Sequence, residues 1–416
     1  MEKKISIGFT GDLSFSGYFS GCQNDDSVLD GEIKEFLNSN DYNVINFESP
    51  VTPCRITKKK RLAHRCGGDA LDFVKRNIRN PVLSFANNHM MDFGYIGVVD
   101  TIDACKERNI PYVGIGLNVE EACRSVIIGN EIKVGVLAIE YKKYLIAGQR
   151  NGGPLHESKT DYIKAEIKRL KRNVDYTVVV YHGGDEFLHA PMPYIRRQLK
   201  QYTKWGADVV VAHHPHVVQG FEYFGKKPVF YSLGNFIFDT DYQRVQKDTE
   251  NGMLLRLVFS DKCISFESLP THIDRETHKV SAGRDSRFFK EITKGYDKLW
   301  SREAARKKDT KERAAKLKEE ELAERTERTE TERVRIEALQ AAAEIKEAMY
   351  DKSDSELTEE GVEAAADTDI VEEQEKKKTV HSMAKAFYKR FVVKRQDNAR
   401  AIVIRYGRLK AKTIYR

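Results

Sequence analysis

Paired cysteines, long apolar runs and a large charge of one sign are all scarce in this sequence. The six cysteines (Cys22, Cys54, Cys66, Cys105, Cys123 and Cys263) are widely spaced and contain no Cys-x-x-Cys. That pattern predicts reduced, mostly buried thiols rather than a disulfide framework. Cys54, His64 and Cys66 loosely imitate a zinc cluster, but their spacing fits no standard pattern. No uninterrupted apolar run reaches the length that crosses a bilayer. The opening Met1-Glu2-Lys3-Lys4 passes straight into Ile5–Phe9 and then Gly11-Asp12, too short a run for the core of a signal peptide. Lys+Arg number 70 against 63 Asp+Glu, a net +7, which by itself implies no nucleic acid. A soluble, cytoplasmic protein is expected.

What is present is an alternation. From residue 1 to about 270, short apolar runs such as Ile5–Phe9, Val44–Phe47, Val82–Phe85, Val134–Ile139, Tyr176–Tyr181 and Asp208–Ala212 alternate with helix-like stretches. The latter include Gly94–Arg108, Thr160–Arg172 and Tyr194–Trp205, with Ile163, Ile167 and Leu170 on one face at helical spacing. Nine or so strands alternating with helices predict an α/β sandwich.

Polar residues able to do chemistry recur just after these strands: Asp12, Asn46 and Glu48, Asn87-Asn88-His89 with Asp92, His182 with Glu186, His213-His214-Pro215-His216, and Asn235. Any one of them alone is readily a turn or a cap. Repeated at six strand ends, they predict a shared site at the mouth of a sheet. Three of the 11 histidines fall between 213 and 216. An extended His-x-His would send His214 and His216 to the same face, although a histidine-rich turn without a ligand is an open alternative. Carboxylate, amide and imidazole groups together suit one or two divalent ions such as Mn, Mg, Fe or Zn, and thiolates are missing from the set. Two ions bridged by a carboxylate would activate water and stabilise an in-line displacement.

Taken in order, these motifs resemble the CapA/PgsA family of bacterial capsule (poly-gamma-glutamate) synthesis proteins, a branch of the calcineurin-like metallophosphoesterases. They are Gly11-Asp12, Asn46-Phe47-Glu48-Ser49-Pro50, Ala86-Asn87-Asn88-His89-x-x-Asp92-x-Gly94, His182-x-Gly184-x-Glu186, His214-Pro215-His216 and Ser232-Leu233-Gly234-Asn235-Phe236. The resemblance implies a four-layer α/β/β/α metallophosphatase-like sandwich with metals at the strand ends. It implies that Asp12 and His216 ligate one ion, that Asn88, His182 and His214 ligate the other, and that Glu48 bridges them. His89 would be the proton donor, with Asn88 and Glu186 beside it in the catalytic set. Glu186, Asp92 and Asn46 would orient imidazoles or a loop. Asn235, Asn87 and Arg61 would face the substrate, an anionic small molecule or polymer; by its composition the Lys58–Arg61 stretch is either a basic loop at the cleft mouth or simply a solvated loop. Ser14 stands where the wider superfamily has the histidine of Asp-x-His, which separates the fold from any automatic claim of phosphatase activity. Either a hydrolase of phosphoester or amide bonds or a non-catalytic metal-binding component of polymer assembly is implied.

The composition shifts after about residue 284, and four segments are predicted: a domain over 1–285, a charged helical extension over 286–350, an acidic disordered linker over 351–375 and a basic, aromatic-containing tail over 376–416. Glu312→Lys316 and Glu321→Arg325 pairs support a solvated helix, with a coiled-coil partner as the alternative. The tail has Asp397 as its single acid and could meet an anionic membrane surface or partner. No nucleic acid is expected.

Overall fold

Val178 and Val180 face one way along their strand while Val179 and Tyr181 face the other, and this period of two governs the architecture. A computed structural model of the chain describes residues 3–57, 62–141 and 145–309, with Glu312, Ala323, Thr326, Thr329, Glu330 and Arg333. In chain order the strands are β1 (Lys4–Gly17), β2 (Tyr42–Phe47), β3 (Pro81–Ser84), β4 (Tyr112–Val113), β5 (Ile115–Gly116), β6 (Val126–Ile128), β7 (Val134–Glu140) and β8 (Gly153–Pro154). They continue with β9 (Tyr176–His182), β10 (Val209–His213), β11 (Phe221–Phe224), β12 (Lys227–Phe230), β13 (Asn235–Asp239), β14 (Asn251–Ser260), β15 (Ile264–Asp274) and β16 (Lys279–Ala282). The helices are α1 (Gly31–Asn38), α2 (Asp69–Asn77), α3 (Gly94–Glu107), α4 (Val119–Ala122), α5 (Thr160–Asn173), α6 (Pro193–Trp205) and α7 (Asp241–Arg244), followed by α8 over 296–309.

One sheet runs β16-β15-β14-β1-β2-β3-β4 and a second runs β11-β12-β10-β9-β7-β6. Between them lies a layer built from Ile7, Phe9, Val44 and Leu255 of the first sheet and Val136, Val178, Val180 and Val211 of the second. The outer face of the first sheet buries Ile45, Phe47 and Leu83 against α1, α2 and α3 through Ile33, Phe36, Leu71, Phe73, Val98 and Ile102. The outer face of the second buries Val179, Tyr181 and Val210 against Ile163, Ile167 and Leu170 of α5 and Ile195 and Leu199 of α6. Each such side chain contributes about 1.5–3 kcal/mol when fully buried. The result is the four-layer α/β/β/α sandwich expected from the sequence.

Three details differ from the sequence expectations. The first strand runs on through Asp12 to Gly17, changing partners on the way: Lys4–Phe9 pair with β14, whereas Asp12, Leu13 and Gly17 pair in parallel with β13. Strands β5, β6, β8, β11, β13, β15 and β16 were not predicted; β13 lies inside a motif read for its chemistry. Packing against the sandwich also continues past residue 285, within a compact unit that spans Met1–Lys316. Phe288 and Phe289 pack on the inter-sheet layer, and Ile292, Tyr296, Leu299 and Trp300 pack on the outer layer of the second sheet. The predictions for the 351–375 linker, the 376–416 tail, the coiled coil and the Lys58–Arg61 loop, Arg61 included, fall outside the described residues. Among the described residues, no helix is long and apolar enough to cross a membrane.

Candidate metal centre

The candidate residues gather where parallel strands from both sheets end or change partner, the place at which open α/β sheets present loops to ligands. Asp12 sits in β1 at the point where its register slips, opposite Asn46 of β2 and Asn235 of β13. Gly11 permits this close approach, since a Cβ there would lie 2.3 Å from the Gly234 carbonyl oxygen. That same oxygen accepts the Asp12 backbone N–H at 2.9 Å. Glu48 follows β2, Asn88 and His89 follow β3, and His182 is the last residue of β9.

His214 and His216 converge for a different reason from the one expected. β10 ends at His213, and the next turn puts His214 at φ 98° and His216 at φ 57°. Both are left-handed rather than extended, a conformation non-glycine residues adopt rarely and at a cost. Their rings nevertheless lie 5.6 Å apart, with His182 4.8 Å from His214. His213 turns away, its Nε2 2.9 Å from the Thr10 carbonyl oxygen.

Two overlapping groups of potential ligand atoms result: Glu48, His182 and His214, and Asp12, Glu48 and His216, each with its atoms within 4.8 Å of one another. Glu48 belongs to both. Its side chain is fully buried, and neither carboxylate oxygen has a hydrogen bond. Around it stand His182 Nε2 at 3.4 Å, His89 Nε2 at 3.8 Å and His216 Nε2 at 4.0 Å from Oε1. An ionised carboxylate buried in that state is costly, and a divalent ion held by these groups would supply the missing partner. The donor set of carboxylate oxygen and imidazole nitrogen therefore fits a divalent metal. Asn88 Oδ1 is 2.7 Å from His182 Nε2, placing its amide oxygen on the side of the Glu48, His182 and His214 group.

The electrostatics agree with a site that favours added positive charge. Burial, aided by the negative Asp12, lifts the Glu48 carboxyl above its ordinary range despite His182 and His216. Burial also pushes on Asp12, but its hydrogen bond with His216 and the imidazoles around it hold it below the usual value. Burial disfavours a charged His216, yet Glu48, Asp12 and Glu186 outweigh it and raise its pKa to about 9.

Supporting groups fix these side chains. Asn46 Nδ2 donates to Asp12 Oδ1 at 2.8 Å and lies 3.2 Å from His182 Nδ1. Asp92 Oδ2 is 2.7 Å from His89 Nδ1. Glu186 Oε1 is 3.5 Å from His214 Nε2, and its Oε2 accepts the Tyr242 hydroxyl at 2.7 Å. Two residues read from sequence as substrate-facing are placed elsewhere. Asn235 is fully buried behind His216, its Oδ1 3.0 Å from His216 Nδ1 and its Nδ2 donating to the Thr249 carbonyl. Asn87 is equally buried; its amide donates to the Phe47 carbonyl and accepts the His89 N–H. Both brace the site from behind.

A cavity of roughly 260 Å³ opens over Asn88, His89 and His216, walled by Leu62, His64, Phe238 and Tyr242. It shares Leu62, His64, Thr240 and Tyr242 with a wider cleft of roughly 510 Å³ that reaches Ser16 and Tyr18. The sequence reading missed the roles of His64 and Tyr242. His64, noticed there for its proximity to Cys54 and Cys66, has its Nδ1 2.6 Å from Ser16 Oγ and its ring 4.0 Å from that of His89. Tyr242 carries no local signal, since a lone tyrosine after a strand is ordinary. Ser14 Oγ lies 2.8 Å from Ser16 Oγ.

The chain is similar to several known proteins. The capsule biosynthesis protein CapA of Bacillus anthracis is 29% identical over 320 residues, covering 72% of this chain and 76% of its own length. The PGA biosynthesis protein CapA of Bacillus subtilis is 26% identical over 308 residues, covering 71% and 80%. A probable polyglutamine synthesis accessory protein of Mycobacterium tuberculosis is 27% identical over 253 residues, covering 56% and 66%. The family described as bacterial capsule synthesis protein PGA_cap matches residues 6–240, the stretch from β1 through β13 that supplies every side chain of the centre, and the chain belongs to that family.

Proposed function

We propose that this chain is a metal-dependent hydrolase-like component of capsule or poly-gamma-glutamate biosynthesis. The observation that carries the reading is Glu48: a wholly buried carboxylate without a hydrogen bond, common to two sets of potential ligands. Asp12 and His216 would hold one ion and Asn88, His182 and His214 another, with Glu48 shared by both sets. Divalent ions held there would acidify water and neutralise charge developing on a phosphoester or amide. His89, fixed by Asp92 and lining the cavity, gives a proton to the leaving group. Glu186 and Asn46 keep His214 and His182 in orientation. The names of the relatives support a polymer-related, anionic substrate, small or polymeric.

A second reading keeps the metal and omits the turnover: a non-catalytic metal-binding component of polysaccharide or polyglutamate assembly. Ser14 favours it, because its hydroxyl, 2.8 Å from that of Ser16, stands where the resemblance calls for a histidine ligand, so an ion beside Asp12 would have fewer partners. Metal analysis of the purified protein, joined to assays on a generic phosphodiester and on gamma-glutamyl peptides, separates the two. Turnover that needs added Mn2+ and is lost in Asp12→Ala and His216→Ala supports the hydrolase. Stoichiometric metal without turnover supports the assembly component. Absence of metal binding by the intact protein sinks both.

A further inference from the structure

We propose that α8 is part of the site's machinery, with Lys307, Glu303 and Tyr296 acting as positioning residues for the loop that carries Glu186. The loop between β9 and α6, residues 183–192, contains neither helix nor strand, so its shape comes from what packs on either side. On the inner side it meets the histidine turn: the Phe187 N–H donates to the Pro215 carbonyl at 2.8 Å, and Glu186 reaches His214. Phe187 is itself left-handed at φ 63°, facing a turn in which His214 and His216 are left-handed too. Such conformations persist only where neighbouring structure over-determines them.

The outer side is supplied by α8. The Tyr296 hydroxyl donates to the Pro191 carbonyl at 2.9 Å. Glu303 Oε2 accepts the His189 N–H at 3.3 Å. Lys307 Nζ pairs with Asp185, whose other oxygen accepts the Tyr194 hydroxyl at 2.8 Å. The helix is anchored in turn, since Ile292 and Tyr296 are buried against the second sheet and the Arg196 guanidinium lies 4.3 Å over the Tyr296 ring. Three residues of one helix thus grip the loop at 185, 189 and 191, and the loop holds Glu186 against His214. A segment that by composition belongs to the charged extension is placed to set the geometry of the centre.

The consequence for metal rests on the reading of the centre given above; the contacts do not. The test uses the full chain with Mn2+ alone as probe, reading Mn2+ affinity by calorimetry and amide exchange of residues 183–192 by mass spectrometry. The Lys307→Ala, Glu303→Gln double variant is expected to accelerate exchange at 185–189 about tenfold. Its Mn2+ affinity should fall about threefold or more, while the thermal midpoint stays near the wild type. Lys307→Arg should restore both readouts. Lys308→Ala, on the same helix with its side chain 80% exposed, should change neither. Unchanged exchange in the double variant overturns the proposal, as does faster exchange with unaltered Mn2+ affinity. Wild-type protein that binds no Mn2+ defeats the reading of the centre instead, and exchange alone then decides whether α8 holds the loop.

Discussion

His89 Nδ1 lies 2.7 Å from Asp92 Oδ2, and the same oxygen accepts the His64 backbone N–H at 2.8 Å. One carboxylate therefore fixes the ring that faces Glu48 and the backbone of the neighbouring cleft residue. With Nδ1–H directed at Asp92, the His89 Nε2 is the atom turned to the cavity. Asp92→Asn leaves the volume intact and removes the charge. Any metal-dependent turnover should fall by about tenfold to a hundredfold, part of what a general acid contributes, with bound Mn2+ per chain unchanged. A rate equal to wild type would remove His89 from the chemistry.

Glu48 is expected to cost the metal-free protein stability, because its buried oxygens lack donors. Glu48→Gln should leave metal-free protein as stable as wild type or more so, by about 1 kcal/mol or more. Added Mn2+ should then stabilise only the wild type, by about 2.7 kcal/mol at a hundredfold excess over the dissociation constant. Thermal melts of both proteins with and without Mn2+ measure this. Equal metal-induced shifts would show that Glu48 is not a ligand.

The Glu222 carboxylate is fully buried and receives Arg196 in two hydrogen bonds of 2.7 Å each together with the Tyr231 hydroxyl. Glu222→Ala strands the Tyr231 hydroxyl and a partly exposed guanidinium. It should destabilise the fold by about 3 kcal/mol, the lower end for a broken buried pair, as read from urea denaturation. A loss under about 1 kcal/mol would mean that Arg196 finds water readily.

Burial pushes the Cys66, Cys105 and Cys123 thiols up to about 12, so almost no thiolate exists on them near neutral pH. A thiol reagent at pH 8 should modify exposed Cys263 first, then the half-buried Cys22 and Cys54. The other three should react only as the protein unfolds. Fast labelling of all six in the native protein would contradict the packing described.

The residues of the centre were readable from sequence because each chemical group follows an apolar run, and a run that ends a buried strand can deliver it to only one place. Asp12, Glu48, His182, His214 and His216 illustrate this. What the pattern hides is direction. Asn235 and Asn87 have the right chemistry at the right strand ends, but their amides turn inward to carbonyls, a matter of side-chain rotation that spacing does not encode. His64 and Tyr242 join the cleft through long-range packing, with no local mark. The α/β sandwich followed from strand–helix alternation, and its four layers from the family resemblance. The partner switch in β1 did not, because it depends on a strand more than two hundred residues away. Phe288, Phe289, Ile292 and Tyr296 did carry an apolar signal, overshadowed by the charge that surrounds them.

The forked pairing of β1 bears on how the molecule is made. Its first half waits for β14 and its second for β13, so the N-terminal strand has no complete set of neighbours until synthesis has passed Ser260. Contacts of such long sequence separation form late. A ribosome-bound chain thus carries Asp12 through about half of its translation without the imidazoles that surround it at the end, and the buried cluster of acids and histidines is complete only once β13 and β14 have been made.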